Sequence, residues 1–171
     1  CTWQAACGVI SDVTGYALPL SFRKEVWNKQ LETGAVEWKW DYISNWMKQA
    51  VKLFNEENPE LPYTLKYYRI TNIKNSKQLL AILNHSSIQT GYTGALKADA
   101  QDNWIIDNND NVDWFGHAIR IVKATLEDNK LEIKYCDNYE GVNEYMIITI
   151  PDFKNNKDFF KWGYYIKKIN K

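Results

Sequence analysis

The sequence is poor in the residues that would announce a special environment. Of 171 residues, three are cysteine, two are histidine and four are proline, and the acidic and basic side chains cancel at 21 each. With no basic excess, binding to a phosphate backbone lacks its main electrostatic driver, which argues against a nucleic-acid partner. The uninterrupted apolar runs fall far short of the roughly 20 residues that a membrane-spanning helix needs, so no span is expected. Three cysteines (Cys1, Cys7, Cys136) leave an odd thiol. No Cys-x-x-Cys pair or Cys/His cluster points to zinc, and no cofactor is implied. Internal repeats and low-complexity tracts are absent, and no charged leader runs into an apolar stretch at the start.

What is present is a large supply of core-forming side chains: 45% hydrophobic residues, 15% aromatic, with eight tryptophans. That is enough for one folded domain, or two small lobes sharing an interface. Lysine (18) far outnumbers arginine (3), and asparagine numbers 17, a bias common in AT-rich genomes such as those of many bacteria and phages. It carries no mechanistic information and leaves the compartment open.

Apolar periodicity divides the chain. Ala5, Ala6, Val9, Ile10 and Val13 recur at three-to-four spacing, predicting a helix over 1–14 that ends near Gly15. Trp40, Ile43, Met47, Ala50, Val51 and Phe54 predict a second over about 40–56, stopped by Pro59 and Pro62. A shorter helix fits 76–84, with Asn75 as its cap. From there 63–70, 88–93, 117–124, 130–136 and 144–150 read as strands rich in Tyr, Ile, Val and Thr. Glu127-Asp128-Asn129 serves as a hairpin turn. Pro151 opens a short helix through Phe159 and Phe160, and a last strand falls near 164–169. The pattern is α+β: a helical part over 1–60 packed on a mainly antiparallel β part over 61–171, in a single domain.

Only His85 and His117 can supply a catalytic imidazole. His85 follows a predicted helix and reads as a C-terminal cap. His117 stands at the head of a strand in Trp114-Phe115-Gly116-His117-Ala118-Ile119, where Gly116 leaves room beside the ring. If 117–124 and 130–136 pair, Asp137 closes the hairpin at the end where His117 opens it, and can orient the imidazole. Cys1, at the start of the first helix, is the candidate nucleophile, because a helix N-terminus and an imidazolium both favour a thiolate. Nucleophile, base and orienting group are then of the three types that thiol acyl transfer needs. Activity would fall as pH drops through the thiol pKa and as it rises through that of the imidazolium.

In Cys1-Thr2-Trp3-Gln4-Ala5-Ala6-Cys7-Gly8, Gly116-His117-Ala118 and Asp137-Asn138-Tyr139-Glu140-Gly141, the chain resembles the papain-like cysteine peptidases of bacterial or phage type. There a Cys opens a small-residue helix, a Gly-His-Ala segment opens a strand, and a later strand ends in Asn-Ser-Trp-Gly. The resemblance implies a papain-like α+β fold and peptide-bond hydrolysis by Cys1, His117 and Asp137, with Asn138 as the alternative third member. Trp114, Gly116 and Tyr139 would line the substrate groove, a protein or peptide would be the substrate, and no metal takes part. The family also places an oxyanion-hole Gln about six residues before its Cys, for which this sequence offers no counterpart. Losing such a donor costs roughly 3–4 kcal/mol of transition-state stabilisation. The expectation is therefore self-processing just before Cys1, with the released N-terminal segment as a docked partner.

Other readings are open. A papain-like domain without activity could serve as a structural or interaction module of a larger assembly. A transglutaminase-like acyl transferase shares the Cys-His-Asp order, and an N-terminal-nucleophile amidase would use the Cys1 amine as its base. A lipidated Cys1 would need a flexible tether, whereas a helical Trp-Gln-Ala-Ala run follows. A shifted register would make Cys7-Gly8 the nucleophile pair, but the apolar neighbours of Cys7 favour a core position. Cys136 reads as packed in its strand. Trp3, Trp38, Trp40, Trp46 and Trp162 read as core. Asp107-Asn108-Asn109-Asp110-Asn111 lacks the glycine and closing glutamate of a calcium loop and reads as a solvated turn.

Overall fold

The protein was analysed as a computed structural model, which describes residues 2–33, 43–71, 76–93, 95–98, 100, 104–107, 116–136, 145–150 and 162–171. The N-terminal part is three helices, α1 (Thr2–Thr14), α2 (Leu20–Glu32) and α3 (Ile43–Glu57). Among the described residues that follow, helix α4 (Ser76–Leu83) lies among strands β1 (Tyr63–Thr71), β2 (Ile88–Thr93), β3 (Ala95–Ala98), β4 (Trp104–Asp107), β5 (Gly116–Glu127), β6 (Lys130–Cys136), β7 (Tyr145–Ile150) and β8 (Trp162–Asn170). Six strands form one antiparallel sheet in the order β1-β8-β2-β5-β6-β7, and β3 pairs with β4 separately. The architecture is α+β, a helical part packed on a six-stranded antiparallel sheet. No described helix is long and apolar enough to cross a membrane.

The expected helices over 1–14, 40–56 and 76–84 are present within a few residues, as are all six expected strands of the sheet. Gly15 ends α1 at φ +77°, a conformation that costs a glycine little, with its N–H on the Ser11 carbonyl at 2.8 Å. The β5–β6 turn is tighter than a three-residue reading: Glu127 pairs with Lys130, leaving Asp128 (φ 47°) and Asn129 (φ 64°) as a two-residue loop. Positive φ at both positions matches the right-handed twist of the flanking strands, and Asp and Asn tolerate it best among non-glycine residues.

Three elements escape the sequence reading. Helix α2 buries only Phe22, Val26 and Gln30, two apolar residues and an amide, so its stripe is too thin to announce a helix. Strands β3 and β4 are four residues each, too short to show alternation. The helix expected after Pro151 and the Asn75 cap lie outside the described residues.

The sheet separates two cores. On one face Leu65, Tyr164 and Ile166 meet α1, α2 and α3 through Ala6, Cys7, Val9, Ile10, Phe22, Val26, Trp46, Met47 and Phe54. Trp27 bridges Trp3 (ring centroids 5.7 Å apart) and Trp46 (5.3 Å, nearly parallel) along this layer. On the opposite face Leu79 and Ile82 of α4 close over Ile70, Ile88, Ile119, Ile121, Ile133, Tyr135, Ile148 and Ile150. The expectation that Trp3 and Trp46 are core residues is met by both: Trp46 is buried and Trp3 packs half-buried against the first core.

Candidate active site

Helix α1 lies against β2, β5 and β8, and the small side chains on its inner side set how closely it approaches. Ala5, Ala6, Cys7, Gly8, Val9 and Ile10 are all buried. At Gly8 the guanidinium of Arg120, from β5, crosses directly over the helix. A Cβ there would sit 1.8 Å from Arg120 Nη1 and 2.9 Å from its Cδ, so the arginine must shift to admit any larger residue. One turn on, Asp12 Oδ2 lies 3.2 Å from Arg120 Nε. That N–H is not aimed closely enough at the oxygen to be a hydrogen bond, so the contact is Coulombic.

Two more polar contacts tie α1 down. Gln89 on β2 is completely buried, and its Nε2 donates to the Thr2 carbonyl at 2.7 Å. Arg23 of α2 donates to Gln4 Oε1 at 2.8 Å and to the Leu18 carbonyl at 3.3 Å. Gly8, Asp12, Gln89 and Arg120 were not foreseen from sequence. Gln89 falls between Ile88 and Thr90, so strand alternation alone would place it facing solvent. Arg120 reads the same way beside Ile119 and Ile121. In both cases α1 covers the face that alternation marks as polar.

The two strands of the expected hairpin do pair. Strand β5 begins at Gly116-His117, and β6 runs antiparallel to it and finishes at Cys136, toward the same end of the sheet. His117 pairs across β2 with Tyr92, three ladder positions from the Gln89–Arg120 pair, or about 10 Å along the strand. The β5–β6 ladder closes at Arg120–Cys136, three residues short of His117. Cys1, Trp114, Asp137, Asn138 and Tyr139 lie outside the described residues, as do the side chain of His117 and residues 108–111. Of the expected site, the structure therefore supplies backbone positions: Thr2, next to Cys1, at the start of α1 and bonded to Gln89 of β2; Gly116-His117 at the head of β5; and Cys136, next to Asp137, at the tail of β6.

Cys7 behaves as the core reading expects. It is completely buried, and burial pushes its thiol up to about 12, with only a partial opposing pull from the Arg23 guanidinium. Burial that favours the neutral thiol argues against the shifted Cys7-Gly8 register. Cys136 is half-buried, opposite Arg120. His85 sits in the turn after α4, where its N–H donates to the Ile82 carbonyl at 3.0 Å, and its exposed ring packs edge-on against Tyr165 at 6.1 Å. A helix-ending role for His85 accounts for this placement.

Among the described residues no three His, Cys, Asp or Glu side chains converge to hold a metal ion. No family model, no curated protein and no solved structure matches this chain.

Proposed function

We propose that the chain is a papain-like cysteine peptidase domain acting through Cys1, His117 and Asp137. The observation that supports it most is topological: α1, which starts at Thr2, is fixed by its first turn to β2, and β5 pairs with β2 from its first residue, Gly116, onward. The β5–β6 hairpin then returns the chain toward that end of the sheet, its ladder closing at Arg120–Cys136, just before Asp137. A nucleophile helix, a histidine strand and a strand carrying the third member occur in the order the papain-like resemblance implies.

In this reading the Cys1 thiolate attacks the amide carbonyl of a protein or peptide substrate, and His117 delivers the proton to the leaving amine. Asp137, or Asn138 in its place, holds the imidazole in the productive tautomer. Gly116 leaves the base accessible, and Trp114 and Tyr139 flank the groove. The burial of Cys7 supports Cys1 over Cys7 as the reactive thiol.

The test is residue-resolved alkylation of the cysteines at mildly acidic pH, in wild type and His117→Ala. Cys1 labels fast in wild type and slows sharply in the mutant, while peptide hydrolysis drops about 10²–10⁴-fold. Slow or His117-independent labelling of Cys1 would sink the peptidase reading and leave a papain-like interaction module.

A further inference from the structure

We propose that Gln89 is a positioning residue for Cys1, clamping the first turn of α1 onto β2; this rests on the peptidase reading above. Gln89 lies inside the sheet, opposite Arg120 on β5 and Tyr164 on β8, and is completely buried. Its amide reaches across 87 residues of sequence to the carbonyl of Thr2, the residue that follows Cys1.

The orientation of that amide is forced. A carbonyl only accepts, so the nitrogen must face Thr2, and Oε1 is then left buried without a donor. An unpaired buried amide oxygen is costly, and a methionine or leucine would fill the same space under α1 without it. The compensation is one directional bond, made to the backbone next to Cys1. Around it Ala5, Ala6 and Val9 are apolar and non-directional, Arg23 of α2 holds the Gln4 side chain rather than the backbone, and Arg120 acts further along, at Gly8 and Asp12. Helix ends fray, and a bond from a buried side chain to the Thr2 carbonyl opposes that at the turn next to Cys1.

The experiment compares Gln89→Met and Gln89→Glu with wild type. It reads amide-exchange protection of residues 2–7 and the pH profile of Cys1 alkylation, with a melting curve to confirm that each variant folds. Met keeps the volume and removes the donor. Protection over 2–7 falls about three- to tenfold, the equilibrium worth of one neutral hydrogen bond, and the Cys1 alkylation profile moves to higher pH. Glu sets a carboxylate against the Thr2 carbonyl and loses more protection at neutral pH. Acidification protonates it, restores a donor and recovers protection, a reversal that Met cannot show. Unchanged protection in Gln89→Met overturns the clamp. Lost protection with an unmoved Cys1 profile overturns the positioning role and leaves the peptidase reading standing. A wild-type Cys1 indifferent to His117→Ala overturns both, and shows before any Gln89 variant is made.

Discussion

The two faces of the sheet are held by different physics. The α4 face is an aliphatic layer dominated by isoleucine, placed by the strand ladders themselves. Its geometry follows from backbone hydrogen bonding, because the pleat decides which side chains face inward. The face beneath α1, α2 and α3 is mixed, with alanine, cysteine, methionine, phenylalanine and tryptophan. No ladder joins a helix to a sheet, so its orientation is fixed by polar pins instead. These are Gln89 to Thr2, Arg120 to Asp12, and Asn55 to β1. Asn55 of α3 gives and takes at once, with Nδ2 on the Leu65 carbonyl at 3.1 Å and Oδ1 on the Leu65 N–H at 2.9 Å. β1 is an edge strand of this sheet, and Asn55 acts there as a neighbouring strand would. The α4 face packs through aliphatic side chains, whereas the three-helix face adds polar contacts that select one docking.

That contrast can be broken from either side. The largest effect belongs to the ladder core: Ile119→Ala or Ile133→Ala, both at fully buried positions, should cost about 2–5 kcal/mol in urea unfolding. The sheet register should survive, visible as unchanged exchange protection in the other strands. Asn55→Leu strands two backbone groups of Leu65 and should cost about 2–3 kcal/mol, with exchange rising selectively in β1. Gly8→Ala should cost about 1–3 kcal/mol by overpacking, because Arg120 must leave Asp12 to make room. Adding Arg120→Met should recover part of that loss, and a double-mutant cycle that comes out additive would refute the coupling.

The smallest effect concerns Cys7. Its folded pKa is raised by burial from 9.0 to about 12, so the native state holds a proton that the unfolded chain releases. This contribution to stability is complete below pH 9 and is lost as pH rises from 9 toward 12. Cys7→Ala should flatten the alkaline limb of the stability profile, measured by urea unfolding between pH 8 and 10.5. In the wild type, iodoacetamide should reach Cys7 only at the rate of helix opening.

The difference between the faces also explains what sequence could show. The strands of the ladder core alternate openly: Leu131, Ile133 and Tyr135 are buried and Lys130, Glu132 and Lys134 are exposed. The order of hairpin and helices followed from such patterns. The pins did not, because Gln89 and Arg120 carry the polar signature of a solvent face and become buried only when α1 lies over them. At the candidate site, the pairing of the strand that opens at His117 with the strand that precedes Asp137 was readable, and β5 and β6 do pair, while Asp137 itself lies outside the described residues. Helix α2 stayed hidden since a glutamine, Gln30, holds a buried position in its stripe.

One irregularity in β5 has a wider consequence. Between Ile121 and Lys123 the ladder with β6 skips a residue, so Ile119, Ile121 and Ala124 are buried on one side despite their change of parity. Val122 thus separates two reading frames within a single 12-residue strand. The first half carries Gly116, His117 and Arg120 in the frame set by β2; the second carries Ala124 in the frame set by β6. Without the extra residue Arg120 and Ala124, both even-numbered, would face the same way; with it, one strand offers a cation to α1 and a methyl group to the core beneath α4.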